Sequence, residues 1–257
     1  MARGSRDLLS DEGPDRRRNR RLKGRKYPPR LLRGGANHAK LVSARSHDPM
    51  RRAVFLDRDN TLMANDGDCG DPAQVQLLPG VGGGVQRLHA AGFALVVVTN
   101  QGGVARGRYD EGDVELVHRR LASMIDGESG VAGAISRFYF CPFHPEGTVE
   151  RYRREHPWRK PGAGMLLQAA LDLELDLVRS WLIGDAERDV VAGRTAGCRT
   201  VLIAGGNPGA RVPASATGVP ATIAFPDLAA PDFTAPDFTA PDFTTAVELL
   251  LGAEGAA

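Results

Sequence analysis

Ala53-Val54-Phe55-Leu56-Asp57-Arg58-Asp59-Asn60-Thr61-Leu62 opens as an apolar run and stops in two carboxylates and a hydroxyl. The run reads as a buried strand over about 53–57. In an extended chain residues i and i+2 face the same way, so Asp57 and Asp59 can address one substrate atom. Open α/β folds place their chemistry at the carboxyl ends of parallel strands. Taken alone, the pair also suits two metal ligands or a plain turn.

Three further segments repeat the arrangement. Phe93-Ala94-Leu95-Val96-Val97-Val98 runs into Thr99-Asn100-Gln101. Arg159-Lys160-Pro161 stands before a helix-like stretch. Trp181-Leu182-Ile183-Gly184 ends in Asp185, with Asp189 four residues on. The order is acid pair, hydroxyl, lysine, acid pair. Strands are expected at about 53–57, 93–99, 137–141, 180–184 and 200–203. Helices are expected at about 80–91, 110–125, 164–173 and 186–196, with Gly82-Gly83-Gly84 weakening the first turn of the earliest. Strands alternating with helices predict an α/β fold, a Rossmann-like three-layer sandwich with a mostly parallel sheet.

In this order the four motifs resemble those of the haloacid dehalogenase-like (HAD) phosphohydrolases, over roughly residues 51–206. The resemblance implies a Mg²⁺-dependent phosphomonoesterase working through an aspartyl-phosphate. Asp57 is then the nucleophile. Asp59 protonates the leaving oxygen and afterwards activates water. Thr99 bonds the phosphoryl oxygen, although a β-branched strand residue there needs no role. Lys160 supplies positive charge, although a solvated surface lysine would look the same. The metal set is Asp57, Asp59, Asp185 and Asp189, with Asp189 equally readable as a capping acid in a first helical turn. Asn60 stands where relatives often carry Gly; Asn tolerates left-handed backbone, so the departure is mild.

Longer stretches narrow the resemblance. Phe55 to Thr61, Thr99 to Gly107, Cys141-Pro142-Phe143-His144-Pro145-Glu146-Gly147 and Arg159-Lys160-Pro161 look like the branch that contains D-glycero-D-manno-heptose 1,7-bisphosphate phosphatase and histidinol-phosphatase. The branch implies that Asn100, Gln101 and Arg159 lie near the substrate, expected to be a small sugar phosphate, heptose 1,7-bisphosphate. The rivals are histidinol phosphate or another small ester, a polynucleotide 3′-phosphatase, and a phosphate-binding protein without turnover. Only 37 residues separate Thr61 from Thr99 and 60 separate Thr99 from Lys160, so a capless type is expected. Relatives often hold structural zinc through Cys-x-His and Cys-x-Cys pairs. Here those positions are Cys141 with Phe143 and His156 with Trp158, so zinc is not expected. A loop packed on Phe143 and Trp158 replaces it, with Cys141, His144 and His156 as the other conceivable ligand set.

The net charge of +2 hides an asymmetry. Residues 1–50 hold 11 Arg and 3 Lys against 4 Asp and 1 Glu, a charge of +9, which leaves the remainder at −7. The first 50 residues read as a disordered basic arm, since they have little apolar periodicity with which to offset ordering entropy. Met50 stands where a domain of this kind would begin, so the arm reads as an inert tail or a start-site artefact. Binding a nucleic-acid backbone needs a cationic track on the domain itself, so nucleic acid is not an expected partner. No segment resembles a signal peptide, and no run reaches the ~18 apolar residues of a membrane span. Three scattered cysteines, Cys69, Cys141 and Cys198, suit a reducing cytoplasm. The phosphatase domain is expected over 51–228. Near-copies of Ala-Pro-Asp-Phe-Thr fill 230–244, and a Pro every five residues breaks helix and ladder alike. That stretch, 229–244, reads as a duplicated linker before a short helix and tail over 245–257.

Overall fold

The computed structural model describes residues 50–204 and 235–255. The basic arm, the last part of the expected phosphatase domain and the first copy of the repeat lie outside those residues. The elements run β1 (Ala53–Leu56), α1 (Val81–Ala90), β2 (Ala94–Asn100), α2 (Gly102–Ala105), α3 (Glu111–Ser129), β3 (Ile135–Cys141), α4 (Gly164–Leu173), β4 (Trp181–Gly184), α5 (Glu187–Ala196), β5 (Arg199–Ile203), β6 (Phe238–Ala240) and α6 (Phe243–Gly255). All strand pairings are parallel, in the order β3-β2-β1-β4-β5-β6.

Both faces of the sheet are covered. On β1, Val54 and Leu56 join a core shared with α1, α3 and α6, while Ala53 and Phe55 join one shared with α4 and α5. The alternation follows the two-residue period of a strand, and burial on both faces explains the unbroken apolar run. The strand order reverses at β1, whose neighbours β2 and β4 leave in opposite directions. Ligands of open α/β sheets bind in the crevice at that switch point, outside the carboxyl ends of the strands. Asp57 and Asp185, the first residues after β1 and β4, flank it.

Two glycines of the run in α1 let neighbouring elements approach. A Cβ on Gly82 would lie 2.5 Å from Glu128 Cβ of α3, and one on Gly84 would lie 2.6 Å from the Phe243 ring. The α3 helix is longer than expected and carries a capping box, Asp110 and Asp113 each accepting the other's backbone N–H. Between β1 and α1, and between β3 and α4, the described chain forms loops with one 3₁₀ turn each, Pro72–Gln74 and Glu150–Tyr152. No inserted domain covers the crevice among the described residues.

The linker reading of 229–244 is corrected over its described part. Strand β6 lies between Pro236 and Pro241, and α6 starts at Phe243 rather than Thr245. An edge strand bonds on one side only, so flanking prolines do not prevent it. No helix of the described residues is long and apolar enough to cross a membrane.

Candidate active site

Three strand ends and one loop converge at the crevice. Lys160, from the loop before α4, is fully buried and its ammonium donates to Asp57 Oδ1 at 2.7 Å and to the Val98 carbonyl at 2.8 Å. It also lies 2.6 Å from Asp189 Oδ1. Burial works against the lysine's charge, but Asp189 and Asp57 more than offset it, so its pKa is raised. A solvated surface lysine is therefore not what the structure contains. Asn100 spends both ends of its amide on the Lys160 backbone, accepting its N–H and donating to its carbonyl at 2.9 Å each.

Potential ligand oxygens of Asp57, Asp185 and Asp189 lie within 4.8 Å of one another. Burial, then Asp57 and Asp189, push the Asp185 carboxyl up to about 7. Asp185 Oδ1 is buried without a hydrogen-bond partner among the described residues. An all-oxygen donor set with an orphaned oxygen and surplus negative charge fits a hard divalent cation such as Mg²⁺. The Asp59 carboxylate is not in this group, which departs from the expected metal set. Arg58 grips it instead, Nε donating to Oδ1 at 3.0 Å and Nη2 to Oδ2 at 3.2 Å, and Gln101 Nε2 donates to Oδ2 at 2.9 Å. Asn60 takes a φ of 57°, the left-handed backbone its side chain tolerates.

Thr99 is buried, its hydroxyl accepting from Gln101 Nε2 at 2.9 Å. Gln101, expected beside the substrate, is only 1% exposed and has its amide bonded within the protein. Arg159 does reach the crevice. With Arg106, Arg188, Asp59 and Asn100 it lines a cavity of about 400 Å³ whose rim includes Asn65 to Asp68. Burial, Arg188 and Arg106 push the Arg159 guanidinium down from its ordinary value. Arg106 is held by Asp68, Nε donating at 3.0 Å, and Arg108 pairs with the same carboxylate at 3.1 Å.

The sequence reading overlooked Arg58, Arg106, Arg188 and Tyr109. A basic residue inside an acid pair was a signal for Arg58, and Arg106 lay inside the stretch Thr99 to Gly107; nothing local marked Arg188 or Tyr109. In the loop after β3, Phe143 stacks on His156 at 4.3 Å with the Arg154 guanidinium 4.2 Å from its ring centre, and Trp158 meets Tyr139 edge-on at 6.1 Å. The Nδ1 atoms of His144 and His156 each accept a backbone N–H, from Glu146 and Trp158. Among the described residues Cys141, His144 and His156 do not gather into a ligand group as the three aspartates do.

A family model described as HAD-hydrolase-like matches residues 157–245. The chain is similar to the D-glycero-beta-D-manno-heptose-1,7-bisphosphate 7-phosphatase of Rhodopseudomonas palustris, 41% identical over 149 residues that cover 58% of this chain and 81% of the relative. It is also similar to the D-glycero-alpha-D-manno-heptose-1,7-bisphosphate 7-phosphatase of Burkholderia mallei, 40% identical over 169 residues, 65% of this chain and 87% of the relative. Among solved structures it resembles the D,D-heptose 1,7-bisphosphate phosphatase of B. bronchiseptica complexed with magnesium and phosphate. That match has a TM-score of 0.61 and 27% identity, and it covers 79% of this chain and 99% of that one.

Proposed function

Since this chain belongs to the HAD-like hydrolases and is a phosphoric monoester hydrolase of sugar phosphates, we propose that it removes the 7-phosphate of a heptose 1,7-bisphosphate through an aspartyl-phosphate at Asp57. The observation that carries the substrate is the crowding of Arg106, Arg159 and Arg188 around the cavity beside Asp59. One phosphoryl group at Asp57 already faces Lys160. Arg106 is already met by Asp68 and Arg188 by neighbouring acids, but Arg159 makes no ion pair among the described residues, and a bisphosphate brings the second anionic group that it lacks.

In this reading Lys160 orients the Asp57 carboxylate for in-line attack on phosphorus and screens the approach of the anionic ester. Asp59, held by Arg58 and Gln101, gives its proton to the departing sugar oxygen and then takes one from the water that cleaves the acyl phosphate. Asp57, Asp185 and Asp189 would hold Mg²⁺, whose charge offsets repulsion between the carboxylates and the phosphoryl oxygens. Asp189, bonded to Lys160, also fixes the lysine. Arg159 binds the distal phosphate, and the Phe143 carbonyl, 3.4 Å from its Nη1, steadies it. The aromatic stack of Phe143, His156 and Arg154 braces the loop that carries Arg159, so no structural zinc is required. Three buried free thiols, Cys69, Cys141 and Cys198, accord with a reducing cytoplasm.

Phosphate release from both anomers of heptose 1,7-bisphosphate, from heptose 7-phosphate and from histidinol phosphate tests this reading. The bisphosphate should have the highest kcat/KM, and Arg159→Ala should erase most of its advantage over the monophosphate. Faster turnover of histidinol phosphate, or an Arg159→Ala variant that keeps the preference, refutes the substrate assignment.

A further inference from the structure

Tyr109 lies in the loop between α2 and α3 and belongs to no motif of the sequence. Its hydroxyl donates to Gln101 Oε1 at 2.8 Å. The other end of that amide, Nε2, donates to Asp59 Oδ2 and to Thr99 Oγ1, both at 2.9 Å. With the Nε2 end facing Asp59 and Thr99, the Oε1 end faces Tyr109. Only a donor satisfies Oε1 there, and the phenol is that donor. Burial, with Asp68 adding to it, pushes the Tyr109 phenol up, so the hydroxyl keeps its proton throughout the neutral range.

The ring itself is seated in a slot. A Cβ on Gly103 would lie 2.3 Å from Tyr109 Cζ, and one on Gly70 would lie 2.5 Å from the ring. Gly103 is the second residue of α2, and Gly70 lies two residues beyond Asp68 of the cavity rim. Both must lack a side chain for the ring to occupy its place. Tyr109 therefore joins a fixed backbone on two sides to a buried amide on the third.

We propose that Tyr109 is a positioning residue which, through Gln101, aims the Asp59 carboxylate at the oxygen that leaves with the sugar. The inference rests on the reading of Asp59 as acid and base. Arg58 holds Asp59 from one side, and the Tyr109–Gln101 pair sets its rotation about the remaining axis. Removing the phenolic oxygen frees the Gln101 amide to rotate and with it one hydrogen bond to Asp59, while the ring stays in its slot.

The test compares two esters that differ in their need for a proton. An alkyl phosphate, such as heptose 7-phosphate, expels a poor leaving group and depends on Asp59; p-nitrophenyl phosphate expels a stable phenolate and depends on it far less. Rapid-quench measurement of single-turnover phosphoenzyme formation on the full chain reads the step directly. In Tyr109→Phe the rate with the alkyl ester should fall by about five- to tenfold, the scale of one net hydrogen bond, and with the aryl ester by a clearly smaller factor. In a Gln101→Ala background the same substitution should add nothing, because the connecting amide is gone. Equal losses on the two esters, or an additive loss beside Gln101→Ala, overturn the proposal. Wild-type protein that releases phosphate from neither ester refutes the phosphatase reading and this proposal with it; wild-type turnover combined with an unaltered Tyr109→Phe refutes the proposal alone.

Discussion

At the carboxyl ends of β1 and β4, Asp57, Asp185 and Asp189 crowd around one lysine, and Asp185 Oδ1 has no hydrogen-bond partner among the described residues. At the amino ends of the same two strands, one carboxylate, Glu254 of α6, is met from several sides. Arg52 pairs with it, the Trp181 indole N–H donates to it at 2.8 Å, and Arg199 lies 3.9 Å away while stacking on the Trp181 ring. Arg52 is itself fixed by the Ala91 carbonyl and the Phe93 ring. The same strands thus carry acids in surplus at one end and an acid fully matched at the other. A site built to receive a cation and an anionic ester keeps more acidic charge than its lysine neutralises, at a cost in stability; a joint with no ligand to receive has no reason to.

Substitutions at the two ends should act on different quantities. Asp57→Asn should abolish turnover, since an amide can neither attack phosphorus nor serve as an anionic ligand; activity within tenfold of wild type would remove the aspartyl-phosphate from the mechanism. Asp59→Asn should retain ester binding and slow the reaction by about 10²–10⁴, the usual scale of general acid–base catalysis. A loss confined to KM would show that Asp59 binds rather than transfers protons.

Asp185→Asn sharpens the contrast through stability. Wild-type protein freed of metal with a chelator should gain thermal stability on adding Mg²⁺, because the ion binds only the folded state. The variant should lose that gain, lose activity, and melt above wild type in chelator, because one of the crowded charges is gone. A lower melting temperature for metal-free Asp185→Asn would mean that the two ends of the sheet are not opposed in this way. Glu254→Ala should do the reverse. It should leave kcat near its original value and cost about 1–3 kcal/mol by leaving Trp181 Nε1 and Arg52 without their partner. That loss corresponds to roughly 2–4 °C in Tm per kcal/mol for a domain of this size. Unchanged melting would show that the joint at α6 carries no weight.

The strand ends were legible because each acid, hydroxyl or lysine follows an apolar run or opens a helix, and the order of such signals is visible along the chain. What surrounds them was not. Arg58 is wholly buried, a fate that a sequence gives an arginine only when a partner such as Asp59 is known to grip it. Tyr109 works through Gln101, eight residues away, and the slot that holds it exists only once Gly70 and Gly103 meet. The repeat shows the limit most directly. In the pentapeptide 235–239, Phe238 lies in β6 and stacks on Trp181 at 5.9 Å, while Asp237 accepts the Thr200 N–H at 2.6 Å. In the identical pentapeptide 240–244, Asp242 accepts the Thr245 N–H at 2.8 Å as a helix cap, and Phe243 is buried at the start of α6. Local sequence is the same, so only tertiary contacts separate strand from helix start.

His118 lies on the flank between the two ends, and its effect is the smallest of these. It stacks on Phe138 at 4.7 Å and meets Phe140 edge-on at 5.8 Å, with Nε2 buried and without a hydrogen-bond partner among the described residues. Burial, assisted by the charge of Arg58, lowers its pKa from 6.5 to about 3. The unfolded chain therefore takes up this proton first as pH falls. Stability from the neutral ring is complete above pH 6.5 and drains away as pH drops toward 3, by at most about 1.4 kcal/mol per pH unit. His118→Phe keeps a ring against Phe138 and removes the titration. Carboxylates elsewhere contribute their own acid dependence, so the quantity to read is the difference between variant and wild type. The variant should match or slightly exceed wild type in Tm at pH 7.5, since it removes a buried unpaired nitrogen, and its advantage should widen steadily down to pH 5. A difference in Tm that stays constant across that range would mean that His118 is not held neutral by its surroundings.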